Sequence, residues 1–162
     1  MRTNPSCGQR QTLLRGGLVT VVAAALLAAT PTVRAADACT LLSSEEIAKI
    51  MGQRVRKPSP STAQEGTSCR FPTAMETVTI ALWPTTAKSF EEFRKTLVQN
   101  GVKVENASGL GDTAYFWDDR VYARVGQQGL TVYLSLAGTG GFDLKRRETA
   151  VAIAKAGIAK LR

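Results

Sequence analysis

Two hydrophobic periodicities alternate along this chain. Within Leu41–Gly52, Ile47, Ile50 and Met51 fall on one face of a 3.6-residue repeat. Ser43 is placed to cap that helix, with Glu46 three residues later completing a capping box. Leu42 and Ile47 form a hydrophobic staple, and Gly52 supplies the stop. Residues 53–66 contain Lys57-Pro58-Ser59-Pro60-Ser61-Thr62 and read as a loop without regular structure. The period then changes to two. Thr67–Phe71 and Glu76–Trp83 form a strand pair around Pro72-Thr73-Ala74, with Val78, Ile80 and Leu82 alternating with Thr77, Thr79 and Ala81.

Helical spacing returns at Ser89, where Glu92 completes a second capping box. Phe90, Phe93 and Leu97 line one face, and Asn100-Gly101 ends the helix. Val102–Glu105 reads as a short edge strand, followed by turn-rich Asn106–Asp112. A three-stranded meander comes next: Thr113–Trp117, the turn Asp118-Asp119, Arg120–Val125, the turn Gly126–Gly129, and Leu130–Leu136. Gly138-Thr139-Gly140-Gly141 breaks it. Asp143 then caps a last helix with Leu144, Val151, Ala154, Ile158 and Leu161 on one stripe. Gly157 inside that helix costs about 1 kcal/mol relative to Ala and favours fraying.

Hairpin-linked strands make an antiparallel sheet, and one-sided helices must bury their apolar faces against it. The fold expected is α+β, a two-layer sandwich of five or six strands with three helices on one face. Alternation assigns the faces. Val78, Ile80, Leu82, Ala114, Phe116, Val121, Ala123, Val125, Leu130, Val132, Leu134 and Leu136 turn toward the helices. Trp83, Tyr115, Trp117, Tyr122, Arg124, Thr131, Tyr133 and Ser135 then face outward, so all three tyrosines and both tryptophans share the outer face.

The first 35 residues follow a different rule. Arg2, Arg10 and Arg15 precede an apolar run from Gly16 to Ala29, and Val33-Arg34-Ala35 fits a cleavage site before Ala36. These are the three parts of a secretory signal. The run falls short of the about 20 apolar residues that span a bilayer. The organisation expected is a signal peptide over 1–35 and a single α+β domain over 36–162, periplasmic or secreted, with no membrane span after cleavage. Four of the 21 basic residues and no acid lie in residues 1–35. Residues 36–162 therefore carry 17 Lys and Arg against 13 Asp and Glu, a net charge of +4. That balance, with no concentrated basic stripe, gives no footprint for nucleic acid.

Of three cysteines, Cys7 leaves with the signal. Cys39 and Cys69 remain, an even pair in an oxidising compartment, and read as a disulfide. The chain has no histidine, so Ser-His-Asp, Cys-His and His-metal constellations are excluded. Asp112 and the pair Asp118/Asp119 are the only acids singled out for acid–base work, and a hairpin-tip pair reads as a solvated turn. The Gly138–Gly141 segment before a helix resembles a phosphate cradle, but it follows a meander and carries Asp143 where a dinucleotide fingerprint needs glycine. No cofactor is implied.

The outer aromatic face is the candidate site. Tyr and Trp join flat apolar area to a hydrogen-bonding tip, the type enriched at binding surfaces. Trp83, Tyr115, Trp117, Tyr122, Arg124 and Tyr133 are the candidate binding residues, for a protein, peptide or glycan of the cell envelope. Cross-strand aromatic pairing that only stabilises the sheet, or a dimer contact, would use the same residues. The expected function is a non-catalytic exported binding domain. The alternative is an inhibitor-type partner of an extracellular or periplasmic enzyme, acting through this face or residues 53–66.

Asp37-Ala38-Cys39-Thr40-Leu41-Leu42 and Gly109-Leu110-Gly111-Asp112-Thr113-Ala114-Tyr115 resemble motifs of a broad group of exported bacterial proteins and lipoproteins built on a domain of unknown function. That group carries D-A-C-x-L-L near its start and G-L-G-D-x-A-Y before its terminal hairpins. The resemblance implies paired cysteines and a compact α+β domain, and it carries over no catalytic residue. Ala36-Asp37-Ala38 lacks the aliphatic residue of a lipobox, so the non-lipidated form is expected here.

Overall fold

The computed structural model describes residues 37–61, 66–136 and 144–162. The expected signal peptide, the Gly138–Gly141 segment and the Asp143 cap lie outside the described residues.

The fold is α+β, and the sheet is larger than expected. Seven antiparallel strands, β1 (Ser59–Ser61), β2 (Thr67–Pro72), β3 (Glu76–Pro84), β4 (Val104–Asn106), β5 (Thr113–Trp117), β6 (Arg120–Val125) and β7 (Gln128–Leu136), lie in the order β1-β2-β3-β7-β6-β5-β4. The longest pairing runs from Glu76↔Leu136 to Pro84↔Gln128 and joins the first strand group to the meander. The added strand is β1, in the segment read as structureless. Pro60 has no amide to give a ladder, so such a strand is tolerated only at a sheet edge, where β1 sits. A 3.0 Å hydrogen bond between the Ser61 and Ser68 hydroxyls helps hold it there.

Four helices are described: α1 (Ala38–Leu41), α2 (Ser44–Met51), α3 (Ala87–Gln99) and α4 (Leu144–Leu161). The α2 caps are those read from sequence. Ser43 accepts from the Glu46 amide, Glu46 accepts from the Ser43 amide, and Gly52 closes the helix at φ 64°. One new helix, α1, precedes it, capped by Asp37, whose side chain accepts from the Cys39 amide. The Cys39–Cys69 disulfide, with Cα atoms 5.0 Å apart, fastens α1 to β2.

The three helices do not all lie on one face. α1, α2 and α4 cover the face bearing Val78, Ile80, Leu82, Val121, Ala123, Leu130 and Val132. α3 crosses to the opposite face, where Phe90 and Leu97 pack with Tyr115 and Tyr122. The expectation placed α3 on the same face as the other helices, but an amphipathic helix fits either face that offers apolar area. Here the aromatic face offers it. α3 also starts earlier than expected: Thr86 caps it, accepting from the Ser89 amide at 3.1 Å, so Ser89 is the third helical residue.

The buried stripe of α4 is Ala150, Ile153, Ala154, Gly157 and Ile158, while Leu144 is exposed. Gly157 is a contact point: a Cβ there would come within 3.1 Å of Leu41 Cδ2. Its small size lets the two elements approach, and it lies well inside the helix. The turn between β6 and β7 is shorter than read, only Gly126-Gln127, because Val125 pairs with Gln128.

Candidate functional site

The outer-face positions form cross-strand rows. One row runs Trp83, Gly129, Arg124 and Thr113, the next Ala81, Thr131, Tyr122 and Tyr115, and the third Thr79, Tyr133, Arg120 and Trp117. The five aromatic residues predicted from alternation do share this face. Tyr122 is at their centre. Tyr115 stacks on it at 5.2 Å and 8°, Trp117 at 6.0 Å and 20°, and Trp83 meets it edge-on at 6.4 Å.

α3 divides this face in two. Tyr115 lies wholly beneath the helix, 0% exposed and 5.2 Å from the Phe90 ring, so it cannot touch a ligand as expected. Its hydroxyl has no hydrogen-bond partner among the described residues, and burial holds its pKa above the ordinary tyrosine value. Beyond the start of α3 the face is open, forming a groove of about 980 Å³. Trp83, Phe93, Tyr122 and Tyr133 give it aromatic walls; Thr85, Thr86, Ser89, Gln127 and Thr131 add polar groups. The Thr85 amide donates to the Gln127 carbonyl at 2.9 Å, tying the approach to α3 to the β6–β7 turn.

Gly129 shapes one wall. A Cβ at this position would overlap the Trp83 indole, so the indole lies across a strand residue that has no side chain. This glycine was read as a turn residue; its function in the strand is clearance.

Two groove residues were not among the expected ones. Phe93 was assigned to the buried side of α3, yet it is 44% exposed and stands 6.1 Å from Tyr122. Its place three residues after Phe90 puts it toward the groove edge of the buried stripe. Arg120 was read only as the first residue of its strand. Its guanidinium carbon lies 5.5 Å from the Trp117 ring centre and 4.8 Å from that of Tyr133, within cation–π range of both. The signal was present in the register: Arg120 pairs with Trp117, and the pairing of the adjacent Val121 with Val132 brings Tyr133 beside it. Burial raises the Tyr122 pKa, and the nearby Arg120 guanidinium opposes that shift.

Arg124, expected among the binding residues, is not among the groove-lining residues described. It forms an ion pair with Asp112 at 3.1 Å and donates to the Gly126 carbonyl. Asp112 also accepts from the Gly126 amide at 2.8 Å. The pair clasps two turns together and leaves neither group directed at the groove. Asp119 lies 3.7 Å from Arg146, and Asp118 is exposed at a turn with φ 54°. No carboxylate is among the groove-lining residues described. No three His, Cys, Asp or Glu side chains converge as a metal site among the described residues.

Of residues 53–66, the described part is held more firmly than a loop. The Arg56 amide donates to the Pro72 carbonyl at 2.7 Å, and Ser59–Ser61 join the sheet. No described helix is long and apolar enough to cross a membrane. No protein-family model matches the chain, and no curated protein is significantly similar to it.

Proposed function

We propose that this protein is an exported binding domain that holds an amphipathic ligand in the groove between α3 and the sheet. One observation carries the reading: a groove of about 980 Å³ has aromatic walls at Trp83, Phe93, Tyr122 and Tyr133 and polar groups beside them. Ligand sites characteristically join apolar area to a few placed polar groups, in volumes of about 300–1,000 Å³. Export is supported by the three-part pattern of residues 1–35 and by a disulfide of the kind that persists in oxidising compartments. The likeness to exported D-A-C-x-L-L proteins points the same way.

The reading narrows the site. Trp83, Tyr122 and Tyr133 contact the ligand; Tyr115 and Trp117 support Tyr122 from the side. A panel of small amphipathic molecules, titrated against the oxidised protein by calorimetry, tests it. Trp83→Ala and Tyr133→Ala should each weaken a bound member by about tenfold or more, as expected for losing a buried aromatic contact. If bound members are indifferent to both substitutions, the groove is not the site.

A further inference from the structure

The groove has a charge as well as a shape. Arg120 is exposed at its wall, with the guanidinium against the Trp117 and Tyr133 rings and beside the Tyr122 side chain. Of three other arginines on or near this face, Arg70, opposite Thr79, is not among the groove-lining residues described, and the remaining two are ion-paired. Arg94 pairs with Glu91 at 3.4 Å, and Arg124 with Asp112 at 3.1 Å. Among the described residues no carboxylate lies within ion-pair distance of Arg120. The aromatic contacts limit the positions the guanidinium can take without neutralising it. A fixed guanidinium keeps its donor fork available and loses less entropy when an anion docks.

We infer that the ligand is a small organic monocarboxylate whose flat apolar body lies against Trp83, Phe93 and Tyr122 and whose carboxylate pairs with Arg120. This rests on the binding reading above and names the ligand class for the same groove. A carboxylate matches the planar fork through two parallel hydrogen bonds. Among the described lining residues Arg120 is the single arginine and there is no lysine, and Asp118 lies two residues away, which favours one negative charge over two. Thr131 and Gln127 offer neutral hydrogen-bonding groups for the remainder of the molecule.

A matched pair of probes tests this. Naphthylacetate and naphthylacetamide share a flat body and differ in charge. Each is titrated calorimetrically into the oxidised protein, and into Trp83→Ala, Arg120→Gln and Arg120→Lys, with thermal melts checking that each variant folds. The acid should bind the unaltered protein about tenfold more tightly than the amide, as a charge-assisted contact outweighs a neutral one. Arg120→Gln should bring the acid down to the level of the amide, Arg120→Lys should fall between, and Trp83→Ala should weaken both probes. Equal binding of acid and amide, or an acid preference that survives Arg120→Gln, overturns the carboxylate inference while a Trp83-dependent loss upholds the groove. Binding of neither probe, or of both without regard to Trp83, overturns the inference and the groove reading together.

Discussion

Tyr115 and Tyr122 stack within 5.2 Å, yet they have different surroundings. Tyr115 is fully buried, with no partner for its hydroxyl among the described residues, whereas Tyr122 meets the groove and is 8% exposed. Tyr115→Phe removes that hydroxyl without leaving a hole, so stability should hold or rise by about 1 kcal/mol in urea unfolding. A loss above about 1 kcal/mol would show that the hydroxyl has a partner. The two pKa values also set an alkaline limit. Both are raised by burial, so the unfolded chain releases these protons first as pH rises. Their contribution is intact below the unfolded tyrosine pKa of about 10 and is lost as pH climbs from there through the folded values. Tyr122→Phe should therefore flatten the fall in stability between neutral and strongly alkaline pH. An unchanged slope would contradict the burial assigned to it. Gly129→Ala should cost about 1–3 kcal/mol by pushing the Trp83 indole out of place, with a shift in tryptophan emission and a loss of groove binding. Alternation placed each aromatic on its face correctly. It could not show that Gly129 clears space for an indole, because that contact crosses strands.

α3 determines how much of the aromatic face is available. Its C-terminal end and apolar stripe could be read from sequence, but its cap is Thr86 and not Ser89, and its side of the sheet depends on where the chain goes after Pro84. Packing decides that, since Phe90 and Leu97 find rings to cover. The same uncertainty explains Arg124: an outward charge on a strand reads as available until its turn neighbour Asp112 is seen to hold it. Thr86→Ala removes the side-chain acceptor at the start of α3 and should cost about 1 kcal/mol, seen as a lower midpoint in urea. Ser89→Ala leaves that acceptor in place and should cost less. The reverse ranking would restore Ser89 as the cap.

For the molecule as a whole, the long β3–β7 pairing and the disulfide work on different parts of the chain. The pairing unites the halves of the sheet, while the disulfide closes a 30-residue separation containing most of α1 and all of α2 and β1. Replacing both Cys39 and Cys69 by Ser should lower stability by roughly 3–4 kcal/mol in the chain-entropy account of loop closure. A change below about 1 kcal/mol would place the stability of this segment in its packing. The pairing of cysteines and the antiparallel architecture were legible from parity and period. The extra edge strand was not, because Ser-Pro-Ser has no strand preference and acquires it from β2 alongside.

That closed loop has a consequence for proteolysis. Arg54 and Arg56 are exposed inside it, and every residue lining the groove comes after Cys69. A trypsin cut at either arginine would produce two polypeptides still joined through sulfur, with the groove-forming elements uncut. Such a nicked form would migrate as intact protein until reductant is added.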